Sequence, residues 1–393
     1  MSGGETLRAV FLPLVDAAPL IIAAELGFAA EEGIELELQK APSWSVARDL
    51  IALRQVELAH LLAPIPVASQ LRLGGNAVPL CAVMVMSVNG TVIGLSNALA
   101  GRLRAVGHPF DFADARAAGQ ALLAVAERPL RIGVPFPFSM HAELVRFWLE
   151  AIAPGASGRH LVKTVPPPRM SEAISAGEID MFCVGEPWGS ITVENGTGEL
   201  LLPGCAIWSF APEKVLSVRE DWATDHPDRV GRAVRALWRA GRWLANPSNH
   251  TAASEILARA RYLDLPADVV DRALSGRLTI SNRGEVRSVP GFVEFHEGAA
   301  TFPWRSQAAW IGQGLARRTS LPVGPATEAA KAAFRSDIYR RAMAGTGALL
   351  PGASEKVEGA VTRETSVASE SGALVLCPDG FFDGTVFDPS FAD

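Results

Sequence analysis

Cysteine is scarce in this 393-residue chain: Cys81, Cys183, Cys205 and Cys377 are its four thiols, far apart and in apolar or turn-like surroundings. With no CxxC pair and no Cys/His cluster they suggest neither a zinc site nor a disulfide framework, and they read as ordinary buried thiols. Runs of Lys or Arg are missing too, and a net charge of −6 gives no reason to expect nucleic acid as a direct partner. No apolar stretch reaches bilayer length; residues 20–26 are interrupted at once by Gly27 and then by acidic residues. The nucleophile elbow GxSxG, the P-loop, HExxH and a GxGxxG after the first strand are all absent, so neither an enzyme nor a cofactor is expected. Asp379, Asp383 and Asp388 do not follow calcium-loop spacing, which leaves no metal site either. A basic head followed by an apolar stretch is also lacking: the chain opens Met1, Ser2, Gly3, Gly4, Glu5 and reads as core strand from Leu7, so no export signal is expected at this end.

What is present is hydrophobic residue in quantity, 49% of the chain, enough for two α/β cores. Residues 7–14 read as a buried strand that Pro13 ends, after which Asp16 is placed to cap a helix carrying Pro19 and stopping at Gly27. Ile34, Leu36 and Leu38 alternate with polar residues as a strand does; Val46, Leu50 and Leu53 recur at helical spacing, with Ser43 or Ser45 as cap. Residues 58–62 and 80–88 are further strands. This β-α-β-α-β order predicts a mostly parallel sheet covered by helices. Asn89-Gly90 reads as the turn that leaves a first lobe. A second lobe is expected from strands near 130–134, 161–165, 179–184 and 200–208 and from the amphipathic segment 141–152. The predicted division is 1–90 and 209–344 for the first lobe, 91–208 for the second, and 345–393 for a C-terminal strap. Residues 345–371, rich in Gly, Ala, Ser, Thr and Glu, read as linker, and the apolar Phe381-Phe382 and Val386-Phe387 beyond them as docking points. The arginines of segment 229–244 read as a solvated helix face.

Three positions would serve an anion if the lobes face each other. His141 begins a helix, where its imidazole and the free backbone N–H groups can meet negative charge, although a capping or surface histidine is the equal alternative. Lys214 lies at the return crossing and is a compact point charge, against the ordinary reading of an exposed lysine. Trp44 follows the second strand and can lie over a planar ligand or simply pack the lobes together. Glu186-Pro187-Trp188 follows Gly185 at a strand end; Glu186 there orients a basic residue or caps a helix, and Trp188 walls the cleft.

In order along the chain, "FLPLVDAAPLIIAAELGF", "APSWSVARDLIALRQVELAHLLAPIPVA", "VNGTVIGLS", "HAELVRFWLEA", "ISAGEIDMFCVGEPW", "APEKVLSVREDW" and "GFFDGTVFDP" resemble the nitrate- and bicarbonate-binding family of solute receptors. The likeness points to its signal-less, NasS-like nitrate-sensing branch. It implies a two-lobed, periplasmic-binding-protein-like type II α/β fold with a ligand cleft between the lobes. It also implies that Trp44, His141 and Lys214 contact the ligand. Relatives look like Asn-Gly-Gln in the first crossing, where this chain has Asn89-Gly90-Thr91, so Thr91 is expected to offer a hydroxyl in place of a longer amide. With the export signal missing, the expected role is a cytoplasmic nitrate or nitrite sensor. Such a sensor holds an ANTAR-domain antiterminator and releases it on binding the anion, as a two-component regulator of antitermination with no membrane partner. The alternative within the same resemblance is the substrate-binding component of a nitrate or bicarbonate ABC importer.

Overall fold

The computed structural model describes residues 4–75, 78–369 and 372–391. Two sheets organise them. The first has the order β4-β10-β3-β1-β2, built from β1 (Glu5–Phe11), β2 (Ile34–Lys40), β3 (Leu58–Leu62), β4 (Leu80–Asn89) and β10 (Pro212–Arg219), with the short strand Val293–Glu294 at the edge beyond β4. The second has the order β7-β6-β8-β5-β9, built from β5 (Thr91–Ser96), β6 (Arg131–Val134), β7 (Leu161–Thr164), β8 (Met181–Gly185) and β9 (Gly198–Pro203). In the first sheet β1 pairs in parallel with both β2 and β3, while β10, coming back from the second lobe, runs antiparallel between β3 and β4. The expected parallel sheet therefore holds for the β-α-β units at the start of the chain, and the returning strand is the antiparallel exception.

The chain changes sheets twice, and one side chain ties the two crossings together. Asn89, at φ 62° before Gly90 at φ 88°, makes the left-handed step into the second lobe, a conformation that Asn and Gly adopt at least cost. Its Nδ2 donates to Ser209 O at 2.8 Å and to Gly291 O at 3.2 Å, and its Oδ1 accepts from Ala211 N at 3.1 Å. Every hydrogen-bonding group of this buried amide is thus spent, on the return crossing and on the segment before Val293–Glu294.

Strands β3, β4, β8, β9 and β10 are buried along their whole lengths, the signature of sheets covered on both faces. Helices supply the covers. Pro227–Leu244 buries Val230, Val234, Leu237, Gly241 and Leu244 on one stripe, while Arg229, Arg235 and Arg239 pair with Glu5, Glu32 and Glu31. Those arginines form the expected solvated face, and their surface ion pairs tie the helix to the first lobe. Trp44–Ala52 starts at Ser43, whose hydroxyl accepts from Val46 N at 3.3 Å, and Met140–Ile152 starts at Ser139, whose hydroxyl accepts from Ala142 N at 3.1 Å.

The C-terminal segment departs from its linker reading. Thr365–Ser369 and Gly372–Leu376 form an antiparallel hairpin, and Phe381 stacks within 4.7 Å of the Trp208 ring and 5.8 Å of Trp310. Phe387 is buried as expected, whereas Val386 faces solvent. Asp379 is buried beside Lys356, which also pairs with Glu358, and its Oδ1 accepts from Val361 N at 2.8 Å. The four cysteines are free thiols; Cys81 and Cys183 are buried, and Cys205 and Cys377 only partly. No described helix is long and apolar enough to cross a membrane.

Candidate functional site

The carboxyl ends of the parallel strands, and the amino ends of the antiparallel β5 and β10, point at one crevice, where open α/β folds collect ligands. Trp44 follows β2, His141 opens the helix after β6, Gly185 and Glu186 close β8, and Thr91 opens β5. Lys214 lies on β10 with a register irregularity on either side of it, between Pro212 and Lys214 and between Lys214 and Val215. Bulges of this kind re-aim a side chain that strict alternation would place elsewhere.

Lys214 is the centre. Its Nζ lies 2.6 Å from Asp16 Oδ2, 2.8 Å from Glu213 Oε1 and 5.4 Å from the centroid of the Trp44 ring. His60 Nε2 lies 3.0 Å from Asp16 Oδ1, with its ring 5.5 Å from Trp44, and His141 Nδ1 lies 3.2 Å from Glu213 Oε1. All six side chains are fully or almost fully buried; Lys214, His60 and His141 have no accessible surface at all. Three of the expected residues, Trp44, His141 and Lys214, therefore belong to one cluster. Asp16, His60 and Glu213 complete it and were not singled out from the sequence. Asp16 was expected to cap a helix; instead it leaves the turn Val15–Ala17 without a side-chain cap and spends its carboxylate on Lys214 and His60. The legible signal for Asp16 was an acidic residue in an otherwise apolar run, Leu14 to Ile22, whose other members are all buried too.

Burial sets the ionisation states. It pushes Asp16 up, but Lys214 and His60 outweigh it and hold the carboxyl at about 2. Lys214 loses hydration, yet Asp16 and Glu213 raise it above the ordinary lysine value, so it stays a cation. Burial pushes Glu213 up to about 7 against the pull of Lys214. Burial, reinforced by Lys214, drives His141 well below the usual imidazole value; burial lowers His60 also, against the pull of Asp16. The two imidazoles are neutral at pH 7, each with one donor and one acceptor nitrogen.

Glu186 and Trp188 lie at the margin of this cluster. Glu186 turns its carboxylate to Ser190 N, 3.1 and 3.2 Å from its two oxygens, and burial pushes it up to about 7. Trp188 Nε1 donates to Pro13 O at 2.8 Å, a bond from the second lobe to the first, next to another from Val15 N to Glu186 O at 3.0 Å. Thr91 is buried opposite Gly185 in the β5–β8 register, on the cleft side. Gly185 allows the close approach: a Cβ there would lie 2.7 Å from Leu14 Cδ2, 3.4 Å from Asp16 Oδ2 and 3.7 Å from His141 Nε2.

Several polar atoms around Lys214 have no hydrogen-bond partner within the protein, although they are buried: Trp44 Nε1, Thr91 Oγ1, His141 Nε2, His60 Nδ1 and Glu213 Oε2. Orphaned groups of this sort are costly unless a ligand or water completes them. No group of His, Cys, Asp and Glu among the described residues has metal-binding geometry.

Two α/β lobes joined by crossing strands, with buried ionised groups between them, define the class of type II periplasmic-binding-protein-like solute receptors. The NMT1-like family model matches residues 3–258, and the chain belongs to that family. The proteins it resembles include nitrate/nitrite binding proteins and components of nitrate and bicarbonate transport. It is 29% identical over 391 residues to the nitrate/nitrite binding protein NrtA of Synechococcus elongatus, covering 96% of this chain and 82% of that one. It is 32% identical over 312 residues to the nitrate import ATP-binding protein NrtC of Synechocystis, of whose length it spans 45%, about half. The crystal structure of the periplasmic nitrate-binding protein NrtA from Synechocystis superposes with a TM-score of 0.82 at 25% identity, covering 98% of this chain and 96% of that one. The fold, and the binding proteins among these relatives, are those of non-catalytic solute receptors.

These relatives correct the regulatory expectation. They are described as binding and ATP-binding proteins of nitrate import, and the superposed structure as periplasmic, in place of a cytoplasmic sensor that holds an antiterminator without a membrane partner. The physical reason is plain: a first strand at Glu5–Phe11 reports where a core begins, and it carries no information about compartment or partner.

Proposed function

We propose that the chain is the anion-binding component of an ABC-type importer, taking nitrate or nitrite, or bicarbonate as the next candidate, into the crevice around Lys214. The observation that carries this reading is the convergence of one buried cation with buried donors that lack protein partners, on His141, Trp44 and Thr91. A trigonal oxyanion is planar and small, and it accepts hydrogen bonds at several oxygens. The Trp44 face, the Lys214 ammonium and the imidazole N–H answer those three properties. Glu186 and Trp188 shape the wall from the second lobe in this reading. The names of the relatives support the same ligand class and an importer's ATP-binding subunit as partner. Titration calorimetry of the purified chain with nitrate, nitrite and bicarbonate tests the proposal. Saturable one-to-one binding of at least one of them, lost or strongly weakened in His141→Ala, is the expected result; no heat from any of the three with folded protein defeats it.

A further inference from the structure

The charges at the site do not balance for an anion. Asp16 and Lys214 neutralise one another at 2.6 Å, and Glu213 then places a second carboxylate against the same ammonium at 2.8 Å. If Glu213 is ionised, a monovalent anion brings two like charges into a buried space with no cation left to meet them. Such a pair of carboxylate-like charges is resolved in proteins by keeping a proton on one of them.

The two carboxylates are not equivalent. Asp16 is held from both sides, by Lys214 at Oδ2 and His60 at Oδ1. Glu213 is engaged through Oε1 by Lys214, with His141 Nδ1 3.2 Å away but making no hydrogen bond to it, and its buried Oε2 has no partner in the protein. A proton on Oε2 turns an orphaned acceptor into a donor, the group an incoming oxyanion needs. Resting on the anion-binding reading above, we propose that the anion enters together with one proton, and that Glu213 carries it as an Oε2–H donor toward the ligand.

The charged and titratable groups facing Glu213 are Asp16 from the turn after β1, His60 from β3, His141 from the helix after β6, Cys183 from β8, and Lys214 beside it on β10. Lys214 and Asp16 keep fixed and opposite charges, and burial raises the Cys183 thiol, so none of these three supplies the proton. Burial places Glu213 at about 7, where the linkage has a definite sign. Well below that pH the carboxyl is already protonated and the anion binds without proton uptake. Above it each anion captures a proton, and affinity falls as pH rises, by up to about tenfold per pH unit.

Nitrate is the suitable probe, because it remains a monoanion throughout, so any pH dependence belongs to the protein. Calorimetry of the full chain in two buffers of different ionisation enthalpy, at about pH 6 and about pH 8, counts the protons taken up. Uptake near zero at the lower pH and approaching about one at the higher is the expected result, with uptake and pH slope both abolished in Glu213→Gln. Nitrate binding with buffer-independent heats at the higher pH overturns the proton coupling and leaves the anion reading intact. A pH slope retained by a folded Glu213→Gln moves the proton to another group and overturns the assignment to Glu213. If that variant does not fold, the wild-type proton count decides on its own. Absence of nitrate binding at both pH values overturns the coupling and counts against the anion reading.

Discussion

Lys214 bears directly on stability, and under the proposed function on recognition as well. Its ammonium is the partner of a carboxylate with almost no exposure, so removing it strands Asp16 as a buried charge. Breaking one side of such a pair costs about 3–5 kcal/mol, and Lys214→Ala is expected to lower the denaturation midpoint by a corresponding amount as well as abolish anion binding. Lys214→Ala paired with Asp16→Asn should recover part of the lost stability without restoring binding, which denaturant titration of the double variant checks. The depressed carboxyl of Asp16 also sets an acid limb. Because its folded value lies near 2, below the ordinary aspartate range, its contribution is complete above about pH 4 and disappears as pH falls through the folded value. Acid titration of unfolding should therefore show a shallower loss of stability in Asp16→Asn than in the wild type. At this scale the sequence was informative about Trp44, His141 and Lys214 through likeness to a family. It was silent on His60 and Glu213, whose positions on a strand and a crossing look ordinary until the elements meet, and for Asp16 it offered only an acid in an apolar run.

Elements were more legible than residues. The alternation at Ile34, Leu36 and Leu38, the helical stripe of Val230, Val234 and Leu237, and the strand 58–62 all follow from where apolar side chains must lie to be buried. Segment 345–371 reads as linker or surface strap from its Gly, Ala, Ser, Thr and Glu content, yet its Thr365–Ser369 pairs with Gly372–Leu376, while Phe381 docks in an aromatic pocket as its apolar run predicts. Strand pairing and distant ring contacts leave no local period. Phe381→Ala should cost about 3–5 kcal/mol, since it empties a packed cluster with Trp208 and Trp310, and equilibrium denaturation measures it. A midpoint unchanged from wild type would show that this segment adds nothing to the body.

Across the whole molecule, links between the segments of the two lobes are numerous, Arg318 to Glu143 and Arg104 to Glu285 among them. Trp188 Nε1 to Pro13 O and Val15 N to Glu186 O join the lobes beside the cluster, and Asn89 joins the two crossings. Trp188→Phe keeps the ring's bulk and removes one inter-lobe hydrogen bond of about 1 kcal/mol, so anion affinity should fall roughly fivefold. Small-angle scattering should then show a larger radius of gyration for the anion-free variant than for the wild type; equal radii and equal affinity would remove Trp188 from the closure mechanism.

The sequence by itself determined the two α/β lobes and the crossing at Asn89-Gly90, because hydrophobic periodicity and turn chemistry are local and survive in one dimension. Only the tertiary structure decided that Asp16, His60, His141, Glu213 and Lys214 share one buried space. Their charges matter through distances of 2.6–3.2 Å, all but the neighbouring Glu213–Lys214 pair between residues far apart in the chain, and through a bulged strand that aims Lys214 inward. Burial at that meeting point, which no local pattern encodes, separates a carboxylate fixed as an anion from one poised to hold a proton.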